Sequence, residues 1–510
     1  MLSEFIAYNN EALLNKNIEN NSLFYLKNIF SIILNNIYIW QRNYFMNTNM
    51  ILVIASCITS FFSSFMSSSI NVAIPAIANS YDIAPQIIPN AISAYVITVT
   101  AFIFPSIALA NRFGFRNIFI FGALSSAITA MVVPFAPNFV LFTLGRALQG
   151  ICNASIFCTS MALITYHVPK EKRGFYIGIC TSAVYAGLTF SPTLGGLITD
   201  HLGWQYMFYI TATGNLIAGA LLFKIPKDPN VSTGYPLIRM TICTLSVALI
   251  FLSLAFITKG TIYIFILILG IIIAAYYLIL EKKSRRPLLP INLLLENKVL
   301  IYSLLASLCN YMATFAIALL LSMHLQLITD LSASQTGFIL MIGPLCQCLL
   351  SPISGKLVGK LSPHTLVLSG MLLSTIATII YSNLTLTTAL IIINISQILG
   401  GIGFGLFSSP NTTLIMGSVD KTKLALVNGL QAFSRNLGMA LCMAVVTLII
   451  SLLIKVDHED ALYKAELNDT ISSCFFISTI IGLAGIFFCS ISAYYYYKNR
   501  KSQTDLRTIK

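Results

Sequence analysis

Charge is what this chain has least of. Asp, Glu, Lys and Arg together make up 9% of its 510 residues, against about a quarter in an ordinary soluble protein. So little charge cannot coat a water-soluble fold of this size, and that class is set aside. Acid is the scarcer sign: 17 Asp and Glu stand against 30 Lys and Arg, for a net charge of +13. No Asp or Glu falls inside a long apolar run; all sit in loops, in tails or at run ends. The chain also lacks a glycine-rich loop ending in Gly-Lys-Ser or Gly-Lys-Thr, so it has no phosphate-cradling ATPase motif of its own. Its 11 cysteines follow neither metal-ligand nor disulfide spacing. Most, such as Cys57, Cys152, Cys180 and Cys442, lie within apolar runs, where a free thiol acts as a small hydrophobe. No metal site is expected. No nucleophile–base grouping stands out, and the chain is not expected to be an enzyme.

What the chain has in abundance is apolar length. Fourteen apolar stretches, each long enough to cross a bilayer, occupy almost the whole sequence; about 20 apolar residues in a helix match the hydrocarbon thickness. The expected spans run over 50–76, 86–108, 117–136, 139–166, 174–198, 205–224, 237–257, 261–280, 299–327, 335–358, 365–382, 386–414, 424–453 and 472–496. An all-α polytopic membrane protein follows, because lipid leaves the backbone no partner but itself. The basic surplus lies in alternate loops, where it fixes orientation rather than binding nucleic acid. Arg112 and Arg116 follow span 2, Lys170, Lys172 and Arg173 follow span 4, Lys227 follows span 6, and Lys282, Lys283, Arg285 and Arg286 follow span 8. Lys360 follows span 10, Lys421 and Lys423 follow span 12, and Lys498 opens the tail. Lys259, Lys455 and Lys464 are the exceptions. The alternation places both termini in the cytoplasm.

The first 48 residues are Asn-rich, with an apolar stretch from Leu23 to Trp40 broken by Lys27, Asn28, Asn35 and Asn36. A span here would invert every later loop against the charge rule. Two readings stay open: an interfacial helix on the inner leaflet, or a start at Met46 or Met50. The rest divides into a six-helix bundle (49–226), a linker with two extra spans (227–298), a second six-helix bundle (299–497) and a cytoplasmic tail (498–510). The halves repeat. Pro105 to Gly122 parallels Pro352 to Gly370, and Gln149-Gly150-Ile151 parallels Gly400-Gly401-Ile402. Repeated halves with a site between them are the plan of alternating-access transporters.

Several segments match a family pattern. Asn71-Val72-Ala73-Ile74-Pro75 in span 1 resembles an NVALP signature, and Arg146-Ala147-Leu148-Gln149-Gly150 in span 4 an RxxQG motif. Gly187 to Gly196 in span 5, with Pro192 and Gly195, matches the antiporter motif GxxxGPxxGG, with Ser191 in place of the middle glycine. Trp204 to Phe208 resembles the opening of span 6. In this order, over residues 50–497, the chain resembles the 14-span drug:proton antiporters of the major facilitator superfamily. The resemblance implies two six-helix halves plus two inserted central helices. It also implies that the loop after span 2 closes the cytoplasmic side through a charge latch. Here Asn111 replaces its aspartate, Ile107 its first glycine and Phe115 an arginine, while Arg112, Gly114 and Arg116 survive. A weaker latch is expected. The aspartate many such antiporters carry before NVALP is Met66 here.

Ionisable groups inside spans are expensive and mark function by default. Arg146 lies deep in span 4, and its permanent charge requires a wet cavity or a polar partner. The resemblance implies a part in proton coupling or cavity electrostatics; a structural hub between helices is the alternative. Arg435 in span 13 lies nearer the cytoplasmic end and can snorkel. His324 in span 9 titrates near neutrality, as a proton carrier must, or is a hydrogen-bonded helix residue. Gly187, Gly195 and Gly196 allow close helix packing and Pro192 a bend. Among polar span residues, Gln149 and Asn71 are the expected cavity residues, and Gln397 is a further candidate in the second half.

The expected function is secondary export of small amphiphilic compounds by proton antiport across a bacterial cytoplasmic (inner) membrane. The energy source is the proton gradient, with no cofactor. Without an intramembrane carboxylate, a neutral or anionic substrate fits better than a cation. Lipid bilayer is the surrounding partner, no nucleic acid is expected, a periplasmic adaptor is open, and the protein is expected to be a monomer. An uncoupled facilitator or importer, and a non-transporting relative, are the alternatives.

Overall fold

Apolar composition and the need to satisfy the backbone internally lead to helices throughout the computed structural model. The structure describes residues 48–508 except 169, 227–236, 258–259, 285–288, 290, 359, 420–423, 457–459 and 461. The expectations for residues 1–47 and for Lys227, Lys259, Arg285, Arg286, Lys421 and Lys423 lie outside the described residues. Contacts divide the chain after Ile51, and of the first unit only 48–51 is described, as helix.

The helices are α1 (Thr48–Tyr81), α2 (Pro85–Phe113), α3 (Phe115–Phe135), α4 (Phe139–His167), α5 (Lys170–His201), α6 (Gln205–Leu222) and α7 (Leu237–Phe256). They continue as α8 (Ile262–Lys282), α9 (Lys298–Ile328), α10 (Ala333–Leu357), α11 (Pro363–Tyr381), α12 (Leu390–Gly417), α13 (Leu424–Leu453) and α14 (Tyr463–Thr508). Among the described residues, 12 helices are long and apolar enough to cross a membrane. α6 and α7 occupy the remaining two expected positions: α6 carries Asn215 and two tyrosines, and the apolar described part of α7 is shorter, Ile238–Leu254. α1 runs past its expected end at 76 because Ile70–Ala73 tightens into a 3-10 turn and Pro75 starts a second helical segment that reaches Tyr81.

The internal repeat is built into the packing. α1 lies on α5, α2 on α4, and α3 on α4 and α6. In the second half α9 lies on α13, α10 on α12, and α11 on α12 and α14. The two ends that leave the first helix of each half also match, since Asp82 and Asp330 both take left-handed backbone with φ of 52° and 56°. α7 and α8 pair with each other, and α7 rests on both α2 and α13. Its Thr244 hydroxyl donates to the Ala101 carbonyl at 3.3 Å. The extra pair therefore lies beside the seam where α2 and α13 join the halves.

The face holding Gly114 and the other basic turns is here called the basic face, and the opposite one the far face. At the far face the described residues bring the halves into close backbone contact. The Cβ that Gly196 lacks would stand 2.3 Å from the Ala333 carbonyl oxygen, and that of Gly337 2.2 Å from the Pro192 oxygen. Each half thus supplies a glycine into which the other's backbone fits. Asp200 at the end of α5 accepts the Ser334 backbone N–H at 2.8 Å, in the first turn of α10, where a carboxylate suits the helix dipole. The Tyr463 hydroxyl donates to Gln86 at 2.9 Å.

One contact follows directly from the sequence. Pro75 has no N–H, so the Asn71 carbonyl four residues earlier loses its helical donor. The Ser322 hydroxyl of α9 donates to that oxygen at 2.5 Å. Gln326 in turn donates to Ser322 at 2.7 Å. A defect in one half is thereby closed by a side chain of the other.

Ser322→Ala removes the hydroxyl bond to a buried carbonyl and is expected to lower stability by about 0.5–1.5 kcal/mol; thermal unfolding of the purified protein in detergent measures it. Gly337→Leu forces a side chain against Pro192 and is expected to destabilise by about 1–3 kcal/mol or more, seen in the same assay. Unchanged unfolding in both variants would show that the far-face seam is not tightly closed.

Candidate functional site

α4 begins where Asn138 caps the helix, its side chain accepting the Leu141 N–H at 2.9 Å. Two turns on, the helix carries Arg146 into the first bundle, where it is fully enclosed. The guanidinium stacks on Tyr95 of α2, 4.5 Å from the ring centroid, and lies 5.8 Å from the Phe208 ring of α6. Its Nη1 donates to Gln149 one turn away, a short contact, and its Nε has no partner. Flat, weakly hydrated guanidinium suits aromatic faces where an ammonium does not.

From Gln149 a polar chain continues inward. Asn153 donates to the Gln149 carbonyl at 3.0 Å and to Ser126 of α3 at 3.2 Å, and accepts from Ser63 of α1 at 3.2 Å. Asn215 of α6 donates to Ser126 at 3.0 Å. Four helices of the first half are stitched together by neutral groups around a single charge. Arg146 and Gln149, expected to line a cavity, are both buried within this bundle. Asn71 is buried too, at the seam described above.

The second half carries its charge differently. Arg435 of α13 is half-buried and sits 6.0 Å from the ring centroid of Tyr311 on α9. Its guanidinium lies on the side of α13 that faces α9. Tyr311 adjoins Ser408 of α12 and Tyr185 of α5. The Tyr185 hydroxyl meets Ser408 at 3.4 Å across the halves. Tyr185, Tyr311 and Ser408 went unnoticed in the sequence, since mid-span tyrosines and serines resemble ordinary packing residues. Their position within spans facing Arg435 is a signal only once the helices are placed.

The other expected residues have distinct places. His324 opens a π-helical turn, His324–Ile328, is completely buried, and neither ring nitrogen has a partner. Gln397 is buried against α10, its Oε1 2.5 Å from where a Cβ of Gly343 would be. Gly187 and Gly195 let α5 lie on α1 beside the Phe61 oxygen and Ser69. In the loop after α2, Gly114 takes φ 90°, a turn that glycine makes without strain. Arg116 donates to the Leu222 and Phe223 carbonyls at 3.0 and 2.9 Å, holding the end of α6. Arg112 is exposed over the neighbouring Phe113 ring, and Asn111 is half-buried. Among the described contacts of this loop, Arg116 is engaged within its own half rather than across to the other.

One carboxylate at a run end is buried. Glu281 ends α8 yet is 1% exposed, accepting the Leu289 N–H at 3.3 Å. The helix continues past the apolar stretch, which places the carboxylate next to Leu289. Among the described residues no group of His, Cys, Asp and Glu could hold a metal ion.

Comparison with known proteins agrees with this architecture. The family model described as Major Facilitator Superfamily matches residues 56–281 and 303–508. The riboflavin transporter RibZ of Clostridioides difficile is 26% identical over 402 residues, covering 78% of this chain and 87% of that protein. The multidrug resistance protein Stp of Mycobacterium tuberculosis is 26% identical over 434 residues, covering 82% and 79%. The crystal structure of a D-xylose-proton symporter superposes with a TM-score of 0.61 at 14% identity, over 87% of this chain and 97% of that one. With repeated helix pairings, long apolar helices and a family match across both halves, the chain is an integral membrane protein belonging to the Major Facilitator Superfamily.

Proposed function

We propose that this protein exports small amphiphilic compounds by proton antiport, its halves rocking about the space between Arg146 and Arg435. The observation that carries this reading is the close contact between the halves at the far face, through Gly196, Gly337, Asp200 and Ser322. Contacts built from glycine notches and single hydrogen bonds can open and reform, as alternating access requires. With the basic turns in the cytoplasm, the far face is the outer one. Relatives named for multidrug resistance support export, and one named for riboflavin shows that the family's cargo also includes metabolites.

Charge narrows the substrate. Both interior arginines lack a carboxylate within the spans, so a cationic drug finds no counter-ion there. Neutral or anionic amphiphiles fit better. Proton coupling then falls on groups other than carboxylates. The Arg146–Gln149–Tyr95 cluster is one candidate. His324 is the other: its two unpartnered nitrogens can take a proton without breaking an existing bond. An uncoupled carrier of a metabolite is the second reading, and the absence of a carboxylate from the middle of any described span favours it.

The deciding measurement is internal pH of proteoliposomes holding an imposed proton gradient, on adding anionic, neutral and cationic amphiphiles. Substrate-dependent proton movement is expected with anionic or neutral compounds. Solute that equilibrates without regard to the gradient would establish the uncoupled carrier instead. Arg146→Lys keeps the charge but not the flat stacking on Tyr95, and is expected to cut coupled flux by about tenfold or more; flux equal to wild type would remove Arg146 from the coupling group.

A further inference from the structure

Four polar side chains from four helices converge where the halves face one another. Arg435 comes from α13, Tyr311 from α9, Ser408 from α12 and Tyr185 from α5. All four are half-buried, unlike Arg146, which is sealed inside its own bundle. Every one of them can donate a hydrogen bond. Among the described residues no ion pair involves Arg435, and the one buried carboxylate, Glu281, belongs to the inserted helix pair.

A guanidinium held within the membrane needs compensation, by water or by an anion. Its planar fork matches the two oxygens of a carboxylate or the oxygens of a phosphate or sulfonate. The neighbouring hydroxyls supply further donors, and the rings of Tyr311 and Phe404, which meet edge to face at 5.2 Å, supply an apolar wall. This is donor chemistry with an aromatic flank, the complement of an amphiphile with an anionic head.

We propose that Arg435, Tyr311, Ser408 and Tyr185 form the subsite for the anionic head group of the transported compound. The inference rests on the reading of the chain as a transporter and makes its substrate class specific: an amphiphilic oxyacid, recognised by charge. It also links occupancy to movement. Three of the four groups belong to the second half and Tyr185 to the first, so an anion held by all four draws α5 towards α9, α12 and α13. A neutral ester has no charge with which to engage Arg435.

The test is equilibrium binding of 1-pyrenebutyrate and of its methyl ester to the full chain in lipid nanodiscs, read by pyrene fluorescence with empty discs subtracted. Wild-type protein is expected to bind the acid about tenfold or more tighter than the ester. Arg435→Gln should erase that difference while leaving ester binding as it was. Arg435→Lys, which keeps charge without the fork, should fall between the two. Tyr185→Phe should weaken the acid alone. Equal affinity for acid and ester, no acid binding above empty discs, or variants that weaken both ligands alike would overturn the subsite. The transporter reading is judged separately by proton-coupled flux. Acid selectivity lost in Arg435→Gln without any flux would leave the subsite standing and remove export. Coupled flux without acid selectivity would do the reverse.

Discussion

In a bilayer every backbone N–H and carbonyl must find its partner inside the protein, and this structure depends on that constraint more than on any other. It makes the described segments that cross the protein helical, and it gives each helix defect a consequence. The proline that follows Ile74 removes one donor from α1, and the orphaned Asn71 carbonyl is satisfied by Ser322 from the opposite half. α9, the counterpart of α1, carries its own irregular turn at His324–Ile328. The two halves therefore meet where their first helices are least regular. There a hydrogen bond sits within a buried apolar cluster that draws Ile70, Ile74 and Ile77 of α1 together with Leu320, Leu321 and Leu325 of α9.

The two interior arginines show how one kind of residue is handled in two ways. Arg146 is surrounded by rings and amides within a single bundle, and its partners move with it. Arg435 faces the space between bundles, and its neighbours belong to both. The first arrangement holds α2, α4 and α6 together around a charge. The second sets a charge among side chains of both halves. Glycines divide the same way. Gly187 and Gly195 serve packing within the first half, whereas Gly196 and Gly337 serve the contact between halves.

The extra helix pair does not stand apart from this scheme. α7 touches α2 and α13, the helices that join the halves through Phe104 and Phe433, whose rings lie 4.7 Å apart, and through Thr100 with the Asn436 carbonyl. Glu281 ties the end of α8 to the chain leading into the second half. The pair thus flanks the seam between α2 and α13.

By itself the sequence determined that the chain is a helical membrane protein with a six-span repeat, because apolar length and alternating basic loops are local properties that lipid reads directly. It also singled out Arg146, His324 and the span 5 glycines, since a charge or a glycine string is conspicuous in apolar surroundings. Only the tertiary structure decided what those residues touch. Arg146 is enclosed against Tyr95 and Gln149, Arg435 lies beside Tyr311, and Glu281 is buried at a helix end. Tyr185, Tyr311 and Ser408 acquired meaning together, because their convergence joins positions hundreds of residues apart that no periodicity within one helix can relate.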